Sequence, residues 1–370
     1  MLAALTPITL GLAALASRPL PVQPQRFAPS SSSSRSGGVA MSTRGFVITG
    51  GAGGVGYAYA DELMGRGHWV VICDVKDPAP AIAALQAKHG ENKLGKVWGT
   101  VCDVSSAESV EALGDFAKDK LGTIHYWINN AGINGGRRPF STLSTGTVSA
   151  VVRVNLIGIL LCTKVAMEIM QNQDGVTSHV SNRRLTHQQP QHLSFSAPTL
   201  TVFCYLLSRL AQIFQTVGSG VKGGGTPGYA AYGATKRGLP QLVDSLVKEL
   251  DVGVPGFEVD KPKGTVNVHT LSPGMVFTDL LLNDSTPELR KFPFGVLAAQ
   301  PDEVAEDLVP KILGTSGNGQ KVEFLTTDRV LKKFVGKFLF GEKSQYIDDD
   351  GNVIKMPGQQ YDPNGVAKQY

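Results

Sequence analysis

The chain reads FVITGGAGGVG from Phe46 to Gly56, and this stretch decides the fold. A short β-branched run enters a glycine cluster, and a helix-forming segment follows as far as Arg66. A strand that turns so tightly into a helix needs residues without a Cβ, because its backbone must approach a phosphate closely. The start of the helix offers free N–H groups and a positive dipole end to a dinucleotide pyrophosphate. A plain turn could carry the same glycines, but Asp74, which closes the next apolar run, favours the dinucleotide site.

Apolar runs and helix-like segments alternate along the rest of the chain. This alternation predicts βαβ units and a doubly wound, parallel α/β sheet whose ligand cleft lies at the carboxyl ends of the strands. Ser105 and Glu108 have the spacing of a capping box, which predicts a helix from there to Leu121. The predicted strands are Phe46–Thr49, Trp69–Asp74, Val97–Val101, Ile124–Ile128, Ile213–Val217, Thr265–Leu271 and Lys321–Leu325. The other predicted helices are Ala79–Lys88, Thr147–Met170, Tyr229–Asp251 and Pro301–Leu313.

Composition and charge narrow the function classes. Hydrophobic residues make up 42% of the 370, enough for a real core, and a formal net charge of +4 is too small to indicate a nucleic-acid partner. No apolar run reaches the ~18 residues of a membrane helix, so no transmembrane segment is predicted. The four cysteines form no CxxC pair and are interpreted as buried and reduced.

The N-terminal segment has the composition of a targeting leader. Residues 1–40 contain no acidic residue and are rich in Ser, Pro, Ala and Arg, with an unbroken serine run from Ser30 to Ser34. Such a segment cannot bury much surface, and an acid-poor, Ser/Arg-rich leader is typical of an organelle transit peptide. The apolar start from Leu2 to Ala16 fits the first stage of a bipartite plastid leader. The alternative is an extension from a wrongly assigned gene start.

An atypical insertion interrupts the alternation at residues 172–210. It is rich in Gln, His, Ser and Pro and is long for a structureless loop inside a compact domain. It is either a lineage-specific loop near the cleft or a retained intron, and the second reading is slightly favoured. Its histidines, His179, His187 and His192, lack a carboxylate or cysteine at ligand spacing, so no metal site is predicted.

Tyr232 and Lys236 are the first catalytic candidates. They stand four residues apart on one face of a predicted helix. A free tyrosine has a pKa of about 10, and a nearby ammonium group is expected to lower it. Tyr232 could then protonate an alkoxide as hydride arrives, while Lys236 holds ribose hydroxyls. The spacing alone is weak evidence, because an exposed helix pair would show it too.

Two further polar residues join them. Ser219 lies thirteen residues before Tyr232, where its hydroxyl could polarise a substrate carbonyl, or where it could be a small residue of a glycine loop. Asn155 lies among apolar neighbours in a long predicted helix, and a buried amide needs partners. It is expected to fix a water, bond the next strand or relay protons to Lys236.

Taken together, these motifs resemble the short-chain dehydrogenase/reductase family from about Arg44 to Leu325. The resemblance implies a Rossmann-type domain at residues 44–325, between a leader at 1–43 and a C-terminal extension at 326–370. It implies catalysis by Asn155, Ser219, Tyr232 and Lys236. The cofactor-binding residues that follow from the family motifs and the glycine turn are Gly50, Gly54, Val55, Gly56, Asp74, Asp103, Val104, Asn130, Ala131, Gly132, Tyr232, Lys236, Pro273, Gly274, Val276 and Thr278.

Two segments resemble the chlorophyll(ide) b reductases more narrowly. One runs from Ile213 through the glycine loop to Lys236, and the other from Val268 to Leu282. The resemblance implies reduction of the 7-formyl group of a chlorophyll-like, hydrophobic substrate in the plastid, a homo-oligomer, and peripheral association with thylakoids. The alternative substrate is a different hydrophobic alcohol or ketone. A hypothesis from another functional class is that the protein is a non-catalytic dinucleotide sensor.

The cofactor prediction rests on two opposed indications. A carboxylate at Asp74 accepts from the adenosine ribose 2′-OH and repels a 2′-phosphate, and no arginine occupies the glycine turn. Asp74 therefore favours NADH, whereas the family resemblance implies NADPH.

Overall fold

In the computed structural model, the residues described are 43–90, 94–173, 211–218, 224–256, 266–282, 285–354, 359–361 and 367–369. Residues 1–42 of the predicted leader, Ser219 and residues 174–210 of the insertion lie outside them. Residues 42–370 cluster as one compact unit, and the fold below is that of its described part.

A seven-stranded parallel sheet organises the described chain. Its strand order is β3-β2-β1-β4-β5-β6-β7, so the chain winds outward from β1 in both directions. The strands are β1 Gly45–Thr49, β2 Trp69–Asp74, β3 Lys96–Val101, β4 Tyr126–Asn129, β5 Ala211–Thr216, β6 Val266–Ser272 and β7 Lys321–Glu323. This confirms the predicted doubly wound α/β class.

Helices cover both faces of the sheet. The longer ones are α1 Gly54–Gly65, α2 Ala79–His89, α3 Ala107–Leu121, α4 Thr145–Asn172 and α5 Ala230–Val252. The short helices α6 Asp279–Leu282, α7 Pro287–Leu289 and α8 Gly295–Leu297 follow β6, then come α9 Pro301–Leu313 and α10 Thr327–Leu339. A separate antiparallel pair joins β8 Gln359–Tyr361 to β9 Ala367–Gln369.

Two apolar layers hold the sheet between the helices. On one face, Phe46 and Ile48 of β1 lie in one core cluster with Leu63 of α1 and Leu308 of α9. On the other, the alternate β1 residue Val47 packs with residues of α3, α4 and α5. Successive side chains of a strand point to opposite faces, which is why one buried strand supplies both layers.

The start of α3 differs from its predicted cap. The side chain of Ser106, not Ser105, accepts a hydrogen bond from the Ser109 N–H. Ser105 instead donates its own backbone N–H to Asp103 Oδ1 at 2.9 Å. The predicted capping box is therefore wrong by one residue, because the turn at Asp103 fixes the chain before the helix begins.

Helix α4 contains a π turn at Arg153–Ile157 and is the most apolar helix described. An 18-residue window within its 28 residues has a mean hydropathy of 1.8, which by length and composition alone is enough to cross a membrane. The central core helix of an α/β sheet meets the same criterion, and the inward face of α4, including Cys162 and Met170, is buried in the core.

A buried polar network joins the middle strands to α4. Asn129 Nδ2 donates to Thr163 Oγ1 at 3.1 Å and to Gln215 Oε1 at 3.0 Å, while its own Oδ1 accepts from Trp127 Nε1 at 2.9 Å. Buried polar groups are costly unless they are paired, so these bonds fix β4, β5 and α4 in one register. The residues that follow β4 lie in the candidate site.

Candidate active site

The glycine turn brings the end of β1 against the start of α1. A Cβ on Gly56 would lie 2.2 Å from the carbonyl oxygen of Gly50, a distance that no side chain tolerates. Gly50 itself has a φ of 68° and Gly54 one of 54°, both in the region that favours glycine. The turn is therefore a backbone cradle that only glycine can form, with Val55 half-buried beside it. Such a cradle fits a dinucleotide pyrophosphate.

Asp74 lies at the rim of this turn. The Ala52 N–H donates to Asp74 Oδ2 at 3.2 Å, and the Lys76 N–H donates to Oδ1 at 3.3 Å. The carboxylate is half-buried at the carboxyl end of β2. A carboxylate beside the glycine turn is able to accept a hydrogen bond from a ribose hydroxyl.

Thr49 ties the end of β4 to the glycine turn. Its Oγ1 accepts from the backbone N–H groups of Asn130 and Ala131, each at 3.0 Å. Asn130 Nδ2 donates back to the carbonyl oxygens of Thr49 at 3.1 Å and Gly50 at 3.2 Å. Sequence reasoning quoted Thr49 within the motif but assigned it no role; its signal was a hydroxyl placed directly before the glycines.

Asn155 is completely buried inside the π turn of α4. It exchanges a pair of bonds with Ile133, donating Nδ2 to the carbonyl oxygen at 2.7 Å and accepting from the N–H at 2.9 Å. It also donates to Thr235 Oγ1 at 3.3 Å. A Cβ on Gly132 would lie 3.1 Å from Asn155 Oδ1 and 3.5 Å from Lys236 Nζ, so both groups converge on Gly132. The second partner, Thr235, was missed from sequence.

Tyr232 and Lys236 lie side by side on α5, and both face Gly218. A Cβ on Gly218 would lie 3.1 Å from the Tyr232 hydroxyl and 3.4 Å from Lys236 Cγ. Lys236 Nζ donates to the Thr216 carbonyl oxygen at 3.0 Å, at the carboxyl end of β5. The hydroxyl and the amine thus stand at the strand edge where the cleft was predicted.

Burial controls the protonation of this pair. It raises the pKa of Tyr232 to about 12, with a smaller contribution from Tyr229, and it lowers the pKa of Lys236 to about 8. The sequence analysis expected a lowered tyrosine pKa, whereas burial raises it in this structure. Both groups keep their protons at neutral pH.

The segment after β6 closes the site from the other side. Gly274 has a φ of 77°, and a Cβ on it would lie 2.7 Å from Leu325 Cγ. Val276, three residues after Pro273, pairs with Ala299, which turns the chain back towards the glycines. A Cβ on Gly54 would lie 3.2 Å from Thr278 Cγ2. The structure thus brings this segment to the glycine turn.

Two other predicted residues lie at the end of β3. Asp103 is exposed, and its side chain is occupied by the turn into α3, whereas Val104 is buried. Ser219 lies outside the described residues, so its catalytic role stays a prediction. Arg137 packs against the turn that leads to Tyr232, since its Cγ lies 2.6 Å from where a Cβ on Gly228 would stand.

Comparison with known proteins agrees with this arrangement. The sequence pattern of the short chain dehydrogenase family matches residues 45–183. "Chlorophyll(ide) b reductase NOL, chloroplastic" of Oryza sativa subsp. japonica is 34% identical over 312 residues, which cover 82% of this chain and 78% of that protein. The chain belongs to the short-chain dehydrogenase/reductase family. By that membership it is an oxidoreductase.

A second relative and a solved structure complete the comparison. "Probable chlorophyll(ide) b reductase NYC1, chloroplastic" of the same organism is 34% identical over 84% of this chain, which spans 55% of that longer protein. The crystal structure of a 3-ketoacyl-(acyl-carrier-protein) reductase from Brucella melitensis, complexed with NADH, superposes with a TM-score of 0.54. It is 21% identical and covers 76% of this chain and 96% of its own, and this likeness concerns the fold.

Proposed function

We propose that this protein is a plastid reductase that converts the 7-formyl group of chlorophyll(ide) b to a 7-hydroxymethyl group with a nicotinamide dinucleotide. The observation that carries the proposal is that the Tyr232 hydroxyl and the Lys236 side chain both lie against Gly218, at the strand edge that also holds the glycine cradle. The names of the two relatives support the pigment substrate, and their chloroplastic location and the acid-poor leader support the plastid.

The side chains present suit a reduction. A nicotinamide cofactor held at the glycine turn would supply hydride for the carbonyl carbon, and Tyr232, which keeps its proton at neutral pH, would donate that proton to the carbonyl oxygen. Lys236, held by the Thr216 carbonyl, provides positive charge beside the tyrosine oxygen as it becomes an anion. Asn155 fixes the backbone at Ile133 and so positions this edge of the cleft. Ser219 is the proposed donor that polarises the carbonyl.

NADH is the proposed form of the cofactor. The Asp74 carboxylate lies at the rim of the glycine turn, where it would accept from a ribose 2′-OH and repel a 2′-phosphate. The family resemblance implied NADPH, and the predicted preference therefore depends on this one carboxylate.

A homo-oligomer and peripheral thylakoid association complete the proposal. The outward face of α4 exposes the apolar side chains Ile157 and Leu160, which a second copy would cover. A pigment substrate of low polarity would be met at a membrane surface.

The test is a product analysis of the purified chain incubated with chlorophyllide b and either NADH or NADPH. We expect 7-hydroxymethyl chlorophyllide, and Tyr232→Phe should lower the rate by roughly 10²- to 10⁴-fold, since a general acid is removed. No product with either cofactor would overturn the pigment substrate and favour another hydrophobic carbonyl. Unchanged cellular function of Tyr232→Phe would favour a dinucleotide sensor.

A further inference from the structure

Helix α10 packs against the molecule with its polar side. Arg329 Nη2 bonds Asp307 Oδ1 of α9 at 2.8 Å, and Nη1 donates to the Phe324 carbonyl oxygen at 3.0 Å. Lys333 is half-buried, and burial lowers its pKa, although Glu303 of α9 opposes that shift. Gly336, one turn further on, is buried. Arg329, Lys333 and Gly336 of α10 therefore face the protein.

The apolar side of the same helix faces solvent. Leu331 is 64% exposed and Phe338 66% exposed, and with Phe334 they form one stripe at helical spacing. Leu339 and Phe340 extend it, at 75% and 76% exposed. An amphipathic helix of a globular protein normally buries its apolar side chains, so these exposed ones mark a surface that a partner would cover.

A neighbouring phenylalanine enlarges the patch. The Phe292 ring, half exposed, packs edge-on to Phe334 with centroids 6.0 Å apart, and Phe334 stacks on Phe338 at 5.8 Å. We define the docking face as Phe292, Leu331, Phe334, Phe338, Leu339 and Phe340. It joins the segment after β6 to the C-terminal helix.

Lysines flank the docking face. Lys291 precedes Phe292 and Lys332 follows Leu331, and both are exposed. Lys337, half-buried, lies beside Phe338. Two copies joined through this face would bring these like charges together, whereas anionic headgroups would neutralise them. Aromatic and aliphatic side chains with lysines at the margin match the composition of helices that lie in a membrane interface.

We propose that α10 is a membrane-surface helix that inserts the docking face into an anionic lipid bilayer. Binding would place the molecule on the membrane through apolar insertion and lysine contacts with headgroups. This inference rests on the membrane association proposed above and names its surface, which lies outside the candidate active site, so it holds whatever carbonyl the enzyme reduces.

The test is co-sedimentation of the full chain with lipid vesicles. We expect binding to vesicles of phosphatidylglycerol mixed with phosphatidylcholine, weaker binding to phosphatidylcholine alone, and loss at high salt. Leu331→Glu combined with Phe338→Glu should lower the partition coefficient at least about tenfold. Both side chains are exposed, so the variant should fold. All proteins compared carry the same leader, so any vesicle binding by the leader is the same in each of them.

Val252→Glu is the matched control, because Val252 is 84% exposed on α5 and is not part of the docking face. It should bind vesicles like the wild type. In a second measurement, Leu339→Trp should show a blue shift of its fluorescence when anionic vesicles are added.

Three outcomes would overturn the proposal. The double variant could bind vesicles as well as the wild type, or the new tryptophan could show no shift. The double variant could also lower the oligomer mass in light scattering while vesicle binding stays unchanged, which would assign the face to a second copy. Turnover of a water-soluble carbonyl substrate would be unaffected in every case, so failure here is separate from failure of the proposed activity.

Discussion

At the residue scale, Lys236 shows a conflict between stability and chemistry. It is 5% exposed, and its amine is held by one backbone carbonyl at 3.0 Å. Its pKa falls from 10.5 to about 8, so the folded protein releases this proton more readily than the unfolded chain. The cost of charging the buried amine is fully present below about pH 8, and it is relieved as the pH rises towards 10.5.

Lys236→Met should remove this pH dependence. Relative to the variant, the free energy of unfolding of the wild type should rise between about pH 7 and pH 10, by up to roughly 3 kcal/mol. Tyrosines also titrate near pH 10, but both proteins contain the same ones, so their contribution cancels in the difference. Urea unfolding at a series of pH values measures the difference, and parallel curves for the two proteins would contradict it.

Asp74→Asn should change the cofactor preference. The amide oxygen keeps an acceptor for the Ala52 N–H, while the charge that repels a 2′-phosphate is lost. We expect the ratio of kcat/KM for NADPH to that for NADH to rise by at least about tenfold. An unchanged melting temperature serves as the control, and an unchanged ratio would show that the carboxylate does not select the cofactor.

At the scale of elements, the glycine turn and the first strands could be predicted because their signals are local. The run before Gly50 and the residues without Cβ determine the turn, and β1 begins within one residue of its predicted start at Phe46. The π turn around Asn155 could not be predicted, since an extra residue in a helical turn has no compositional mark. The predicted direction of the Tyr232 pKa shift was wrong, because the burial that raises this pKa depends on the assembled fold.

Gly56→Ala tests the turn as a unit. The new Cβ would meet the Gly50 oxygen at 2.2 Å, so the strand end and the helix start must move apart. We expect dinucleotide binding to be lost, which a fluorescence titration with NADH would measure. We also expect the free energy of unfolding to fall by about 1–3 kcal/mol. Gly53→Ala is the matched control, since a Cβ there meets nothing within 4 Å and its φ of −168° suits any residue. Equal effects of the two substitutions would refute the close-approach argument.

At the scale of the whole molecule, the site collects residues from separate parts of the chain at one edge of the sheet. Hydrogen bonds between residues 80 or more positions apart join Asn130 to Thr49 and Gly50, and Asn155 to Thr235. The doubly wound topology accounts for this convergence, and the sequence order of the motifs was enough to predict it. The orientation of α10 could not be predicted, because it depends on the ion pair between Arg329 of this helix and Asp307 of α9.

Removal of residues 1–40 tests the predicted division of the chain. The first strand begins at Gly45, and the core clusters of the described residues draw on no residue before Phe46. We expect the shortened protein to keep its melting temperature and its reductase activity. Thermal unfolding and turnover measurements would reveal a leader that contributes to the fold, in which case both values would fall.

The buried thiols give this molecule an internal reporter of unfolding. Cys73, Cys102 and Cys162 are at most 2% exposed and belong to one apolar layer between the sheet and helices α3 to α5. A thiol reagent can reach them only when that layer opens, so the labelling rate in a Cys204→Ser background would track global opening. Dinucleotide binding should slow that labelling in proportion to its occupancy, without any engineered probe.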